Sequence, residues 1–551
     1  MIEKNNQFVL DRFDHDKYDL VREQDLSYDR AMMSDATSSD DMSLTHGRNR
    51  YVIISIVIFL CFIGIWILYV WPALFSEWWA TDDYYSLQFK HIGLVHFIAI
   101  AKDNFRFGRP LGIPLFLANI LLIRSPFPLF SSGALLRIIQ GGAHSANALL
   151  IGFLLFKATG KKTTLLTPLP FLVWPLGGDA TYWIAAAAYP LSGFFSLIGI
   201  LLCFKQGIWR WAGISLLACS VLINQSGCLL GLIALWIFIV LRLFSRSDWR
   251  QVLRPWAYVV LGYSTGLLFL TLGTPLLHTD RITSTALFSF SSSWMFFRFS
   301  LLHLLNESGT SYPLWLRGVQ IALPIYACIT VMAHSFARNA RDHRSWKQNL
   351  ITVSAFVVLL VLPYAPLYIL GINWLAGRVM LPATLLYSAA LCLLLQSNIF
   401  PRTQTIVVVV SILTLLAGYF PTSRSYAEAH VINYQKDMER LRLLEETAQA
   451  ANTRFLVVGD ITKNGLLNNP YQFPFPLLGD SLISAFRSAG YLQLFVESRS
   501  ESLSVLREKP VYLACRTYCD QPALKTRITI LNKPFRVLCY CTGNNGAPAL
   551  P

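Results

Sequence analysis

Two adjacent carboxylates, Asp82 and Asp83, stand in the stretch WWATDDYYSLQFKH at residues 78–91. Aromatic side chains flank the pair on both sides, including Tyr84 and Tyr85. A carboxylate held there can remove a proton from an acceptor hydroxyl, while its neighbour orients the acceptor or holds Mg²⁺ or Mn²⁺. In the alternative interpretation the aromatics anchor a helix end at a membrane surface and the Asp residues cap that helix. The metal dependence stays open.

Two arginines are candidates to meet the negative charge of a phosphate group. Arg109 lies in the element FGRP at 107–110, and Arg378 ends the element NWLAGR at 373–378. A planar guanidinium suits phosphate oxygens, although an arginine at the end of a span can also extend its side chain to the headgroups. Asp179, in GGDATYWIAA, either joins the same site or caps a helix.

The composition shows which kind of protein must position these residues. Hydrophobic residues make up 54% of the 551 and charged residues only 14%, whereas soluble domains are about a quarter charged. Apolar runs long enough to cross a bilayer recur between residues 51 and 420. The sequence therefore predicts an all-α polytopic membrane protein. Although the net charge is +15, the basic residues cluster in short loops between apolar runs, so no nucleic-acid partner is expected.

The distribution of basic loops predicts a topology of about eleven transmembrane helices with the N-terminus in the cytoplasm and the C-terminus outside. Residues 1–47 are expected to be a disordered cytoplasmic tail. Residues 48–420 form the transmembrane domain, with large outer segments at about 71–129 and 277–312. The runs at 164–176 and 209–223 are short for spans. Residues 421–551 start with a helical pattern and continue with β-like runs, which predicts a small extracytoplasmic α/β domain.

The ten cysteines fall into two groups. Six lie in or beside apolar runs, as small buried side chains do. The other four lie near the C-terminus: Cys515, Cys519, Cys539 and Cys541. An even number in a small domain predicts disulfides in an oxidising compartment, stapling the runs VYLAC and FRVLCYC. Zinc is the alternative, although the spacings C-x3-C and C-x-C match the usual zinc pairs poorly.

An acidic pair soon after the first span, a later G-R-P element, many spans and a late Arg before a span resemble the polyprenyl-phosphate-dependent glycosyltransferases of the GT-C superfamily. The resemblance covers residues 51–435, and within that superfamily the chain looks most like bacterial glucosyltransferases that modify O-antigen. It implies that Asp82 or Asp83 matches the family's catalytic carboxylate, which acts as a base, and that Arg109 matches the arginine of the G-R-P element. The C-terminal domain has no counterpart in this comparison.

The resulting expectation is an inverting glycosyltransferase at the outer face of a bacterial inner membrane. It would move a sugar, with glucose as the leading choice, from a polyprenyl-phosphate donor to a glycan or glycolipid acceptor such as lipopolysaccharide. An O-antigen polymerase or ligase is one alternative, but such enzymes usually lack the early acidic pair. A flippase or transporter of lipid-linked sugars is another, and buried charges in the middle of a span would favour it.

Overall fold

The computed structural model describes the helical part of the chain and four short strands. The described residues are 41–76, 109–112, 115, 132–175, 181, 186–244, 255–277, 313–339, 346–364, 381–396, 403–451, 455–459, 512–514, 528–530 and 533–540. Two compact units divide the chain, Met1–Ile58 and Phe59–Pro551. The contacts reported below lie within the second unit.

Eleven α-helices lie in the described residues. Their bounds are α1 Asp41–Phe75, α2 Ser132–Thr159, α3 Leu169–Leu172, α4 Ala188–Cys203, α5 Ile208–Ile223, α6 Gln225–Phe244, α7 Trp256–Leu277, α8 Leu314–Asn339, α9 Trp346–Val361, α10 Leu385–Gln396 and α11 Gln404–Ala451. Helix α1 begins at Asp41, inside the tail for which disorder was predicted up to residue 47. Residues 1–40 lie outside the described part of the chain.

Five helices are long and apolar enough to cross a membrane. The apolar segments are Ile53–Phe75, Gly133–Thr159, Gln225–Phe244, Leu314–Ala333 and Gln404–Ser425. Shorter apolar helices accompany them, among them α4, α5 and part of α7. This part of the chain is therefore a helical protein of membrane character, as predicted, while the number of eleven spans stays a prediction.

Apolar side chains on the helix surfaces fit contact with lipid. Phe269 and Leu272 on α7 are each 64% exposed, and Ile406 and Leu413 on α11 are exposed to a similar degree. A water-soluble bundle would cover side chains of this size or replace them with polar ones. These faces therefore point to the hydrocarbon as their solvent.

The apolar run at 164–176 does not form one continuous helix. It divides into a 3-10 turn at Lys162–Leu166 and the short helix α3, whose residues are all buried. Pro168 and Pro170 lie in this run, and proline removes a backbone donor and clashes inside a helix. By contrast, the other short run, at 209–223, forms the regular helix α5.

Side chains from neighbouring helices satisfy the irregular backbone of this segment. The hydroxyl of Ser388 donates to the carbonyl of Thr167 at 2.9 Å, and that of Ser423 donates to the carbonyl of Val173 at 2.9 Å. Non-helical backbone at membrane depth is tolerated where protein covers it and its polar groups find partners. The segment is therefore a built part of the bundle.

Helices α4, α5 and α6 pack closely because small residues line their contacts. A Cβ atom at Gly213 of α5 would lie 2.7 Å from the carbonyl oxygen of Gly199 in α4. The Ser192 hydroxyl lies 2.8 Å from the carbonyls of both Ser220 and Asn224. Small residues and interhelical hydroxyl contacts are the usual means of joining helices in a membrane, where burial of apolar area gives little net attraction.

Most basic residues of the central helices lie at one end of the bundle, which we call the basic end. Helices α2, α4 and α6 end there and α5 begins there. The residues are Lys157, Lys161, Lys205, Arg210 and Arg242. The Lys161 amine donates to the carbonyl of Leu395 at the end of α10, and loss of solvent lowers the pKa of this lysine.

Helix α11 contains both the last predicted span and the helical pattern predicted for the start of the tail. It runs for 48 residues with Pro421 inside it.

Four strands follow α11 in the C-terminal segment. They are β1 Phe455–Gly459, β2 Tyr512–Ala514, β3 Ile528–Ile530 and β4 Lys533–Tyr540, and their order in the sheet is β2-β1-β4-β3. The α/β domain as a whole stays a prediction.

The sheet order bears on the predicted disulfides. Val458 of β1 pairs with Ala514 on one side and with Cys539 on the other. The prediction that the runs VYLAC and FRVLCYC form adjacent strands is therefore wrong, because β1 lies between β2 and β4. Cys515, Cys519 and Cys541 lie outside the described residues, so their pairing stays a prediction.

Candidate functional site

Arg109 is the one residue predicted for donor binding or catalysis that the described part of the chain contains. The remaining predicted residues lie outside it, namely Asp82, Asp83, Tyr84, Tyr85, Asp179 and Arg378. Whether the carboxylates and the two arginines meet is therefore still a prediction. The site is built here from Arg109 and the helices that hold it.

A tight turn fixes the backbone of Arg109. The amide of Gly112 donates to the carbonyl of Arg109 at 2.9 Å, and the amide of Leu111 donates to the carbonyl of Leu222 at 3.2 Å. Leu222 belongs to the last turn of α5, so the G-R-P element is attached to the end of that helix. Proline at the second position of a turn has the fixed φ that such a turn needs.

The Arg109 side chain is half-buried and lies against an aromatic ring. Its guanidinium carbon is 5.9 Å from the ring centroid of Tyr189, within the range of a cation–π contact. The Nε atom is buried and has no hydrogen-bond partner among the residues that the structure describes. A charged donor without a partner is costly in a protein interior, so this arginine is suited to an anionic ligand.

Tyr189 is held by contacts at the first turn of α4. The side-chain amide of Asn147 in α2 donates to the backbone carbonyl of Pro190 at 2.8 Å. A Cβ atom at Gly227 of α6 would lie 2.5 Å from the Tyr189 carbonyl oxygen, so only glycine allows this approach. The Asn224 side chain accepts from the Gly227 amide at 2.9 Å and so caps the start of α6.

The lengths of the helices indicate that the N-terminal part of α2 extends beyond the level of Arg109. Helices α4 and α5 have 16 residues each, which corresponds to about 24 Å, less than the roughly 30 Å of a bilayer core. Helix α2 has 28 residues, or about 42 Å. Asn147 meets the start of α4 about 22 Å along α2 from Ser132. The first part of α2 therefore extends past the ends of α4 and α5 where Arg109 lies.

One face of α2 carries a row of buried polar side chains. They recur at helical spacing and are each 1% exposed or less: Arg137, Gln140, His144 and Asn147. Residues spaced by three and four lie on the same side of a helix. The row runs from the first turns of α2 to the contact between Asn147 and the start of α4, next to Tyr189.

Arg137 is a buried charge inside a candidate span. One of its terminal nitrogens donates to the carbonyl of Ser76 at 3.3 Å. Ser76 follows directly after α1 and stands six positions before Asp82 in the sequence. Arg137 therefore lies against the point at which the chain enters the segment with the acidic pair.

His144 supports the irregular segment described above. Its Nε2 donates to the carbonyl of Leu172 at 3.2 Å, and its ring lies 4.6 Å from that of Phe171. The Nδ1 atom has no partner within the described residues. Because a carbonyl oxygen can only accept, the contact with Leu172 requires a proton on Nε2.

Sequence reasoning proposed Arg109 as a site residue, which stays a prediction, and did not consider Tyr189 or the polar face of α2. The signal was present in LRIIQGGAHSAN, where Arg, Gln, His and Asn follow one another at helical spacing within an apolar run. The length of this run predicted a span, and the polar face that it forms was not considered. No group of three or more metal-ligating side chains occurs among the described residues.

These features define a helical protein of membrane character with a half-buried arginine opposite its basic end. Comparisons of the chain with family models, curated proteins and solved structures gave no match.

Proposed function

We propose that the chain is an inverting membrane glycosyltransferase. It moves a sugar, glucose in the leading version, from a polyprenyl-phosphate donor to a surface glycan such as O-antigen. The proposal rests on the resemblance of the acidic pair and the G-R-P element to the GT-C superfamily. It places the protein in the bacterial inner membrane, with the N-terminus cytoplasmic and the C-terminus periplasmic.

The observation that carries the proposal is the setting of Arg109. Its guanidinium is half-buried with an unpartnered Nε within the described residues, and the G-R-P element is attached to the end of α5. That end is opposite the basic end, which the positive-inside rule assigns to the cytoplasm. Arg109 then faces the side on which a lipid-carried donor would be used.

In the proposed reaction, Asp82 or Asp83 accepts the proton of the acceptor hydroxyl. The acceptor oxygen forms a bond to the anomeric carbon of the sugar while the bond from that carbon to the phosphate oxygen breaks. The polyprenyl phosphate leaves with added negative charge. Arg109 and Arg378 stabilise that charge, and a preorganised cation has its largest effect where charge develops.

Reconstitution tests the proposal. The purified chain in proteoliposomes is given polyprenyl-phosphate glucose and a lipid-linked O-antigen acceptor, and the glycan is analysed by mass spectrometry. The expected product carries one added hexose and requires the lipid donor, whereas a nucleotide-sugar gives none. A melting curve first establishes that the protein is folded. If that protein gives no product with a panel of polyprenyl-phosphate sugars and glycan acceptors, the proposal is wrong.

A flippase or transporter of lipid-linked sugars is the second candidate. The buried polar face of α2 favours it, because ionisable residues within a span often mark a substrate path. The two candidates differ in the same proteoliposomes. A transporter moves a labelled lipid-linked sugar between leaflets without changing its covalent structure, whereas the transferase changes the acceptor.

A further inference from the structure

Four cations lie close together at the basic end, beside three aromatic rings. The Lys157 amine lies 4.7 Å from the ring centroid of Phe204, which lies 5.2 Å from the Phe238 ring. The guanidinium of Arg242 lies 5.8 Å from the same Phe238 ring. Lys205 follows Phe204 in the connection from α4 to α5, whereas Lys157 belongs to α2 and Arg242 to α6.

Arg210 of α5 completes this basic cluster. Its Nε donates to the carbonyl of Lys205 at 3.0 Å, and a terminal nitrogen donates to the hydroxyl of Tyr258 at 3.2 Å. The guanidinium also lies 4.6 Å from the Tyr258 ring centroid. A backbone carbonyl, a hydroxyl and a ring hold this side chain, so its position is fixed while its full positive charge remains.

The cluster lies at the surface among exposed aromatic and aliphatic side chains. Lys205 is exposed, and beside Arg210 stand Trp209 and Trp211, which are 57% and 65% exposed. Next to Tyr258, Val260 and Leu261 of α7 are also exposed. Tryptophan is enriched at the headgroup level of membranes, which indicates that the cluster lies where a bilayer changes from hydrocarbon to headgroup.

The charge balance of this region favours an anionic occupant. Helices α2, α4, α5, α6 and α7 contain no Asp or Glu in their sequences. Several positive charges on one surface create a positive potential that attracts anions. An amphiphile with a negative headgroup matches both features, since its phosphate meets the cations and its acyl chains cover the neighbouring apolar side chains.

We propose that the basic cluster of Lys157, Lys205, Arg210 and Arg242 binds the headgroup of an anionic phospholipid, with the acyl chains lying on the exposed faces of α5 and α7. Basic pockets between helix ends bind such headgroups through the charge of lysine and the paired donors of arginine. The proposal does not depend on the glycosyltransferase reaction, because the cluster lies at the other end of the helices from Arg109.

Lipid retention by the full chain tests the proposal. The protein is placed in nanodiscs of phosphatidylcholine with a minor share of phosphatidylglycerol, and the lipids that stay bound after extraction into mild detergent are measured by native mass spectrometry. Lys205→Gln and Arg210→Gln are each expected to lower retained phosphatidylglycerol about fivefold. Arg424→Gln, which removes one charge from an exposed pair with Glu428 on α11, should leave it unchanged.

The variants keep the test decisive. The Lys205 side chain is exposed and only its backbone carbonyl serves Arg210, so Lys205→Gln should fold even if Arg210→Gln does not. Equal retention of phosphatidylglycerol in Lys205→Gln and in the wild type would overturn the proposal. Displacement of the lipid by millimolar inorganic phosphate would also overturn it, because the cluster would then be a site for free phosphate.

Discussion

Arg109 shows how one side chain can be prepared for a ligand before the ligand arrives. The turn at Gly112 and the bond from Leu111 to α5 fix its backbone, and the Tyr189 ring limits where its guanidinium can lie. A buried charged donor without a partner raises the free energy of the unliganded protein. An anion that pairs with it removes that penalty, so the same geometry that costs stability favours binding.

Arg109→Lys tests this at the residue scale. Lysine keeps the charge but loses the planar pair of donors, so we expect transfer from the polyprenyl-phosphate sugar to fall about tenfold or the donor KM to rise by a similar factor. Arg378→Lys should act in the same direction. Arg424→Lys, in an exposed ion pair, is the matched control and should not matter. Wild-type kinetics in both test variants would remove these arginines from the site.

Asp82→Asn and Asp83→Asn test the acidic pair. Asparagine keeps the shape of the side chain and loses the ability to accept a proton, so the variant at the catalytic position should transfer sugar about 10²–10⁴ times more slowly. Membrane insertion and the melting temperature should not change. The measurement is the rate of glycan modification at saturating donor. If each single variant still modifies glycan at nearly the normal rate, neither carboxylate is the base.

At the residue scale, a sequence reveals candidate residues that belong to a short motif, but it does not reveal which distant residues the fold brings beside them. Arg109 could be found because G-R-P is a local pattern. Tyr189 could not, because its position beside Arg109 depends on the end of α5 meeting the start of α4, elements joined only after folding. The sequence shows Arg137 and His144 at helical spacing, but their burial depends on the elements that pack on α2.

At the element scale, the apolar runs predict the helices well because length and composition decide whether a segment can cross a membrane. Helix α5, at Ile208–Ile223, lies where the run at 209–223 predicted it. The segment 162–175 differs because its prolines break the helix, and the serines that satisfy its backbone come from residues 388 and 423, far away in the sequence. Such partners have no local signature, so this element could not be predicted from the sequence.

Two neighbouring glycines in α2 give a matched test of helix packing. A Cβ atom at Gly141 would lie 2.2 Å from the ring of Trp66 in α1, whereas one at Gly142 would meet nothing within 4 Å. Trp66 is almost fully buried. Gly141→Ala should therefore lower the stability by about 1–3 kcal/mol through overpacking, despite the better helix propensity of alanine.

Gly142→Ala has the same gain in helix propensity and no clash, so its melting temperature should equal or exceed that of the wild type. Thermal unfolding in detergent, followed by tryptophan fluorescence, compares the two variants. Equal melting temperatures for both would show that α1 does not pack on α2 through Trp66.

At the scale of the whole molecule, charge separates the two ends of the bundle. Five lysines and arginines lie at the basic end, whereas the described residues at the opposite end include Arg109 and the buried Arg137 beside neutral residues such as Asn224. This asymmetry was readable from the sequence because it depends only on the order of spans and loops. The C-terminal segment was less readable, since β-like runs do not reveal which strands are neighbours.

The four cysteines near the C-terminus are expected to form two disulfides if that segment lies outside the cytoplasm. Since β1 separates β2 from β4, a bridge between a residue of β2 and one of β4 would span two strand spacings of about 4.8 Å each, more than a disulfide allows. Cys539 lies within β4, so we expect its partner to be one of the three cysteines beyond the ends of these strands, namely Cys515, Cys519 and Cys541. Mass mapping without reduction, on protein from native membranes, measures it, and four free thiols would favour the zinc alternative.

The orientation of the bundle decides whether Arg109 can serve a donor outside the cytoplasm. A phosphatase reporter that is active only outside should be active after Phe420 and inactive within 338–347 or at Gln206, which lies in the short connection from α4 to α5 at the basic end. A fluorescent reporter that folds only in the cytoplasm should give the opposite pattern and serves as the control for expression. The physical reason is that translocating the lysines and arginines of the basic end is unfavourable, whereas the end with Asn224 has fewer cations among the described residues, namely the half-buried Arg109 and the buried Arg137. Phosphatase activity at Gln206 would place Arg109 on the cytoplasmic side, and a polyprenyl-phosphate sugar used on the outer face could not then be its ligand.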